Sequence, residues 1–348
     1  MRSLEPLSAP VGAAEALRRI AFLLERSREG TYRVEAFRKA LKVVQKMAPD
    51  ELRTRIAGGR LTEVSGIGKS TAAVITQAGS GELPDYLKSL QEKTIEPLAA
   101  GGTELYAASR GDLHCHSDWS DGGSPIDEVV LSAIELDHSW LALTDHSPRL
   151  TVANGLSAER LAEQIRVVDK LNGALGERFR LLRGIEVDIL DDGSLDQTED
   201  MLDQLDIVTA SVHSKLAMDS GPMTRRMVAA ARNPHVNVLG HCTGRLVTGG
   251  RGKRAQSKFD AHKVFEACAE SHTAVEINSR PERVDPPDDL IRIAMDLGCV
   301  FAIDSDAHAP GQLDFKALGC DRAEKLGIDP DRIVTTWPLP RLLKWARG

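Results

Sequence analysis

The sequence predicts an α/β protein built as a (β/α)-type barrel over residues 111–348, preceded by a small all-α domain over 1–95 and a linker over 96–110. Three observations predict it. Apolar residues recur at helical spacing through the first 95 positions. After Gly111, short apolar strands alternate with helical stretches, the pattern of a (β/α) barrel or a doubly wound sheet. Nearly every one of these strands ends in His, Asp or Glu, which favours the barrel, whose active sites open at the C-terminal ends of its strands.

In the first part, "AAEALRRIAFLLERSREG" places Ala16, Ile20, Leu23 and Leu24 on one stripe, with Gly30 as a stop. "YRVEAFRKALKVVQKM" repeats the pattern with Val34, Phe37, Leu41, Val44 and Met47 and ends before Pro49. "DELRTRIAGGRL" is a third, shorter helix. In "LTEVSGIGKSTAAVITQAGSGEL", Gly66-Ile67-Gly68 separates a short helix at Leu61–Val64 from a longer one beginning near Ser70. Two glycines allow a tight turn, and the amides at the start of the next helix form an anion site, with Lys69 adding charge. Gly66, Gly68, Lys69 and Ser70 are therefore candidate phosphate contacts. The segment is no dinucleotide fingerprint, because no strand precedes it and the third glycine is missing.

Charge divides the chain in the same place. Residues 1–95 carry 16 Lys and Arg against 11 Asp and Glu, whereas the remainder carries 28 against 40, and all ten histidines lie at or beyond His114. A basic first part and an acidic, His-rich second part suit an anion and cations respectively. Aromatics at 4% leave little material for a base-stacking sheet. No apolar run approaches a membrane span, and no signal pattern opens the sequence. Five scattered cysteines (115, 242, 268, 299, 320) without a C-x-x-C pair argue against disulfides and Cys-type zinc sites. A reducing cytoplasm is the expected home.

The predicted strands of the second part are "GDLHCHS", "SWLALTDHS", "FRLLRGIEVDI", "LDIVTASVHS", "VNVLGHCTGR", "TAVEINSRP" and "CVFAIDSDAHAP". His114 and His116 alternate on the first, so both imidazoles face one side. Asp306 and His308 repeat that spacing on the last. His146, Glu186, His213 and His241 each stand at a strand end. A lone histidine is usually a surface or hydrogen-bonded residue; the ensemble points to metal.

The order D-x-H-x-H, T-D-H, G-I-E, S-V-H, G-H and D-A-H resembles the polymerase and histidinol phosphatase (PHP) domain, a distorted seven-stranded (β/α)7 barrel, from Asp112 through about Trp345. "GIEVDI", "ASVHS", "NPHV", "LGHCTGR" and "TTWPLPRLL" are most similar to the PHP domains of bacterial family X DNA polymerases, although Cys242 replaces a frequent proline. The first 95 residues resemble the N-terminal helix-hairpin-helix domain of the same polymerases, through "YRVEAFRKA", "GRLTEVSGIGKSTAAVI" and "GELPDYLKSL". That likeness implies binding to the DNA backbone without sequence specificity. Val74 stands where members with lyase activity carry their Schiff-base lysine, so no lyase is expected. About fifteen residues between Ile95 and Gly111 leave no room for a polymerase palm, so no polymerisation is expected either.

The PHP resemblance implies three divalent ions, Zn, Mn or Fe, held by mixed imidazole and carboxylate ligands. His114, His116, Glu186 and Asp306 would hold the first. Glu186 would bridge to a second, held also by His213 and His241. Asp121, His146 and His308 would hold the third. Glu186, His213, Asp306 and His308 would be catalytic in phosphoester hydrolysis, since such ions activate water and stabilise phosphoryl charge. Arg245 and Arg280 are either phosphate clamps or surface ion pairs. Arg251, Lys253 and Arg254 of "GGRGKR" are candidate backbone contacts. The expected function is a DNA-repair phosphoesterase: a 3′-5′ exonuclease, a 3′-end phosphatase or an abasic-site endonuclease. The alternatives are a histidinol-phosphate-type phosphatase and an inactive DNA-binding scaffold; oligomeric state is not predicted.

Overall fold

The computed structural model describes residues 5–250 and 252–348. One compact unit comprises the residues up to Pro97 together with Ala309–Gln312; the other comprises Leu98–His308 and Leu313–Gly348.

The first unit is helical: α1 (Ala13–Arg26), α2 (Thr31–Lys46), α3 (Pro49–Ala57), α4 (Lys69–Gly79) and α5 (Asp85–Thr94). Helix α1 is its axis. The predicted stripe of Ala16, Ile20, Leu23 and Leu24 is buried, and so are Leu17 and Phe22 on the flanks. Phe37, Leu41 and Val44 of α2 are buried too, whereas Val34 and Met47 are half-buried. A buried bidentate pair, Arg38 donating to both carboxylate oxygens of Glu25 at 2.7 Å, ties α1 to α2. Removing either partner would strand the other charge, which is what makes such a pair costly to break.

In the hairpin, the two glycines differ. Gly66 has φ +97°, and a Cβ there would lie 3.1 Å from side-chain carbons of Lys39 and Val43. Gly68 has an ordinary φ of −92°, and nothing lies within 4 Å of where its Cβ would be. The turn therefore requires one glycine, not two. Ile67 between them is buried and anchors the hairpin, and the Gly68 amide donates to Thr71 Oγ1 at 2.9 Å. Val74 of α4 is core.

In the second unit a short helix, α6 (Thr103–Ala108), occupies the expected linker. Tyr106 on it donates to Asp314 at 2.5 Å. The rest runs α7 (Ile126–Glu135), β1 (Trp140–Leu143), α8 (Ala158–Leu175), β2 (Arg180–Asp188), α9 (Glu199–Leu202) and β3 (Ile207–Ser211). It continues α10 (Ser220–Ala231), β4 (Val238–Leu239), α11 (Ala261–Glu270), β5 (Ala274–Asn278), α12 (Asp288–Asp296), β6 (Phe301–Asp304), α13 (Lys316–Leu326) and α14 (Leu339–Ala346). The six strands form one parallel sheet in sequential order. Pairing sets Glu186 beside Thr209 and Glu276 beside Ala302.

The predicted seventh strand, 111–117, is in place but irregular. It lies between the two edges of the sheet. Ala142 and Thr144 donate to the carbonyls of Asp112 and Cys115 on one side, and His116 donates to Ala307 on the other. Side chains replace the missing ladder bonds: Asp304 accepts from the Leu113 amide at 2.8 Å and Thr144 Oγ1 from Cys115 at 2.9 Å. The ladder is irregular here because side chains take over the Leu113 and Cys115 amides, while His116 keeps a backbone partner.

Period-two alternation sorts the strands' faces. Ile185, Val187, Val208, Ala210, Val275 and Ile277 pack outward into the main hydrophobic core. Leu182, Ile207, Val238, Ala274 and Ala302 point inward near the strand starts and meet Trp337 and Leu342 of the C-terminal segment. That segment stops the N-terminal end of the barrel, with Trp140 Nε1 donating to the Trp337 carbonyl at 3.3 Å. Further along the same inner faces stand Glu186, Ser211, Glu276 and Asp304, all buried. The inside is apolar at one end and polar at the other, which puts chemistry at the C-terminal ends.

Two expected outcomes follow from this geometry. Gly66→Ala should lower stability by about 1–2 kcal/mol, the typical penalty of a positive φ in an L-residue, whereas Gly68→Ala should stay within about 0.5 kcal/mol, as exposed substitutions do. Chemical denaturation of the full chain, with each midpoint compared to the parent, checks both.

Candidate metal centre

Glu186 stands near the end of the inner face of β2 with 0% exposure, and five imidazoles surround it. Its Oε1 lies 3.0 Å from His241 Nε2 and 3.2 Å from His213 Nε2. Its Oε2 lies 2.9 Å from His146 Nδ1, 3.3 Å from His114 Nε2 and 3.6 Å from His116 Nε2. Asp306 Oδ1 stands 3.6 Å from His116 Nε2 and 3.9 Å from His114 Nε2. At the more open side, Asp121 Oδ1 is 3.6 Å from His146 Nε2 and 3.4 Å from His308 Nε2. All nine candidate ligands thus converge.

Three groups bring ligand atoms within 4.8 Å of one another: His114, His116 and Glu186; His146, Glu186 and His213; and His116, Asp121, His146 and His308. They overlap the three expected subsites but share residues differently, since His116 also joins the Asp121 group and His146 the Glu186–His213 group. The two carboxylate oxygens of Glu186 face different histidines, the arrangement a bridging ligand needs.

Whether ions fit is tested by unsatisfied polar atoms. Both oxygens of Glu186, both ring nitrogens of His116 and His213, His114 Nε2, His146 Nδ1 and His241 Nδ1 are buried without a hydrogen bond. Native interiors satisfy nearly all such atoms, and a bare buried carboxylate is costly. Nine of them on six touching side chains call for cations. Nitrogen and oxygen donors in this mixture suit first-row divalent ions.

Electrostatics point the same way. Burial would raise the Glu186 pKa, but His114, His146 and His213 hold it well below the carboxylate range. Burial is likewise outweighed at Asp306 by Arg280, His114 and Arg283, and at Asp121 by His308. All three stay ionised. Burial disfavours the charged form of His114, yet Glu186, Glu276 and Asp306 raise its pKa well above normal. At His213, burial is outweighed by Glu186 and Asp188, and the pKa is pushed up to about 9. His116 is shifted well down by burial and by its neighbours His308 and His146, and His241 down by burial and Arg283.

The remaining predicted residues divide. Arg280 is at the site, its Nη1 lying 2.9 Å from His308 Nδ1 and 3.7 Å from Asp306 Oδ1. Arg245 is not presented as a clamp: its guanidinium donates to the carbonyls of Arg283 (3.1 Å) and Val284, bracing that loop instead. Arg254 donates to the Gly244 carbonyl at 2.7 Å, Lys253 is exposed, and Arg251 lies outside the described residues. Gly68, Lys69 and Ser70 are exposed at the start of α4, while Gly66 is half-buried against α2.

Sequence reasoning missed Asp188, Glu276 and Arg283. Asp188 accepts the His213 amide at 3.1 Å. Glu276 Oε1 lies 2.5 Å from His114 Nδ1. Arg283 donates to Asp306 Oδ2 at 3.0 Å. The signal for the first two was available, because Asp188 shares the inner face of its strand with Glu186 at spacing two, and Glu276 with Asn278. Arg283 sits on a loop and carried none.

Because an imidazolium cannot ligate, metal uptake must release protons from His114 and His213. Affinity should therefore rise with pH across 6–8, with proton release near neutrality. Calorimetric titration of divalent ion in buffers of different ionisation enthalpy measures the protons released; a pH-independent affinity without release would contradict this reading.

Residues 112–280 match the PHP domain family, and residues 12–79 match a helix-hairpin-helix domain family. The chain is 40% identical over 216 residues to the DNA polymerase/3'-5' exonuclease PolX of Bacillus subtilis, a match covering 62% of this chain and 37% of that protein. It is 28% identical over 207 residues to a probable phosphatase of Caldicellulosiruptor bescii, covering 57% of this chain and 79% of that one. A solved histidinol phosphate phosphatase from Lactococcus lactis, complexed with zinc, L-histidinol and phosphate, covers 63% of this chain and 92% of its own with TM-score 0.46 and 19% identity. The chain thus spans little more than a third of the PolX relative's length. The chain therefore carries a PHP domain, with a helix-hairpin-helix domain ahead of it in the sequence.

Proposed function

We propose that this chain is a metal-dependent phosphoesterase acting on DNA, removing 3′ nucleotides or 3′ blocking groups or cutting at abasic sites. The observation that carries the reading is the gathering of eight further candidate ligands around Glu186 in a chain that also holds a helix-hairpin-helix domain. His114, His116, Glu186 and Asp306 would hold a first ion, Glu186, His213 and His241 a second, and Asp121, His146 and His308 a third.

Bound divalent ions supply an activated water and neutralise developing phosphoryl charge. The protein's own residues do the rest. Glu186 presents Oε1 to His213 and His241 and Oε2 to His114 and His116, so it would serve both of the first two subsites. Asp306 is held by Asn278 (3.1 Å) and Arg283 (3.0 Å), which aim its second oxygen at His114 and His116. Arg280, half-buried beside His308 and Asp306, is the phosphate clamp, since a guanidinium matches phosphate oxygens in geometry and charge. Arg283 is committed to Asp306 and serves orientation. Lys253 would add a backbone contact.

In the helical unit, the exposed Gly68-Lys69-Ser70 turn would take a DNA phosphate on the amides that open α4. Gly68 has open space where a side chain would stand, so backbone and phosphate can approach closely. A second reading, a small-molecule phosphatase, draws on the barrel's similarity to probable phosphatases. Such an enzyme has no use for the hairpin.

The test offers metal-loaded protein labelled duplexes with a recessed 3′ end, a 3′ phosphate or an abasic site, alongside histidinol phosphate. Turnover of at least one DNA in preference to histidinol phosphate is expected; the reverse would favour the second reading. Asp306→Ala and His213→Ala should each lower cleavage by at least about 100-fold, the scale of losing an electrostatic catalytic group. Arg280→Ala should mainly raise KM, by roughly tenfold, as loss of a charge-assisted hydrogen bond of about 1.5–3 kcal/mol implies. Gly68→Ala, harmless to the fold, should weaken DNA binding and leave turnover of a small chromogenic phosphoester unchanged.

A further inference from the structure

Two buried carboxylates beside the ligands make no approach to a metal position of their own: Asp145 and Glu276, each 0% exposed. Their hydrogen bonds go to different places. Asp145 accepts five, from the Ser117 amide (2.8 Å) and hydroxyl (2.6 Å), the Ser120 amide (3.2 Å) and hydroxyl (2.5 Å), and Gln164 Nε2 (2.7 Å). Ser117 and Ser120 open the turn that presents Asp121. The turn is closed by Gly122 donating to the Ser117 carbonyl at 2.9 Å and Gly123 to the His308 carbonyl at 2.7 Å. Asp145 also directly precedes His146, so one carboxylate locks the turn of Asp121 to the strand end that bears His146.

Glu276 reaches the opposite side. Its Oε1 lies 2.5 Å from His114 Nδ1, which keeps the proton there and turns Nε2 to the metal position. Its Oε2 accepts from the His241 amide and from Asn278 Nδ2 at 3.1 Å. Asn278 passes the link to Asp306 Oδ2, also at 3.1 Å.

We infer that the centre is braced in two separate parts: Asp145 is the positioning residue of the third subsite, and Glu276 that of the first two. The inference rests on the metal-centre reading above. Its consequence is that Asp121 and the turn that carries it can be loosened while the hydrogen bonds of Glu276 stay in place. The physical reason is that Asp121 comes from a turn with no sheet ladder of its own, so its place is set by the carboxylate that gathers the turn's amides and hydroxyls.

The experiment uses the full chain, stripped with a chelator and titrated with Mn²⁺, with bound metal counted by elemental analysis after gel filtration. Asp145→Asn replaces an all-acceptor group by one that must place an NH₂ against these donors. It should weaken one of three ions by about 10–100-fold, the usual effect of disturbing a group that holds a ligand, and leave the other two within about threefold. Glu276→Gln should do the converse. Asp121→Ala should lose the same ion as Asp145→Asn, and the double variant should lose no more than either alone. Ser120→Ala removes one hydroxyl and keeps the carboxylate, so it should show a smaller shift at that ion; with circular dichroism and the thermal midpoint recorded, it carries the test should Asp145→Asn fail to fold. Loss of the same ions in parallel by Asp145→Asn and Glu276→Gln, with the parent loading normally, would overturn the two-part bracing while leaving the metal centre standing. A parent that binds no stoichiometric Mn²⁺ would overturn the metal-centre reading itself.

Discussion

Everything at the mouth of the barrel turns on one buried carboxylate. Glu186 is fully enclosed, ionised, and faced by five imidazoles whose own polar atoms are mostly unsatisfied. Left bare, that arrangement would be strongly unfavourable, because a desolvated charge needs a partner of opposite sign. Divalent ions between these side chains answer the need of both carboxylate and imidazoles at once. The acidic excess of the second part of the chain, 40 Asp and Glu against 28 Lys and Arg, fits the same account.

The fold serves this constraint through the two-residue period of its strands. Outward positions are apolar and pack under the helices. Inward positions change character along each strand, from Leu182 to Glu186 on β2 and from Ile207 to Ser211 on β3. Trp337 and Leu342 fill the apolar end, so the polar end is the one left for ligands and substrate. Carboxylates next to the site then orient imidazoles and backbone: Glu276 at His114 and His241, Asp188 at His213, Asp145 at the turn of Asp121. Precision at the ligands is a property of these neighbours.

Much of this was legible in the sequence. The helical stripe of α1 is buried as its spacing requires, and so are Phe37, Leu41 and Val44 of α2, because amphipathic periodicity is a local property. Six predicted strands formed; the seventh, 111–117, kept its place and lost its ladder to side-chain hydrogen bonds. The nine candidate ligands converge because each sits at a strand end or in the turn beside one. What was misread involves partners distant in sequence. Gly68 looked as necessary as Gly66 until backbone angles separated them. Arg245 could be read as a clamp or as a surface ion pair, and in the fold its guanidinium donates to carbonyls of a loop nearly forty residues away. Arg283, with no strand to place it, reaches Asp306 only through the fold.

The sequence by itself determined the two-part organisation, the α/β class and the set of side chains able to ligate, since these follow from periodicity, spacing and residue chemistry along the chain. Only the tertiary structure decided which oxygen of Glu186 faces which histidine, which arginine stands beside His308 and Asp306, and which buried carboxylates hydrogen-bond to the candidate ligands and their turn. Those outcomes depend on distances of about 3 Å between residues tens to hundreds of positions apart, and hydrogen bonds and Coulomb forces act on such distances rather than on sequence order.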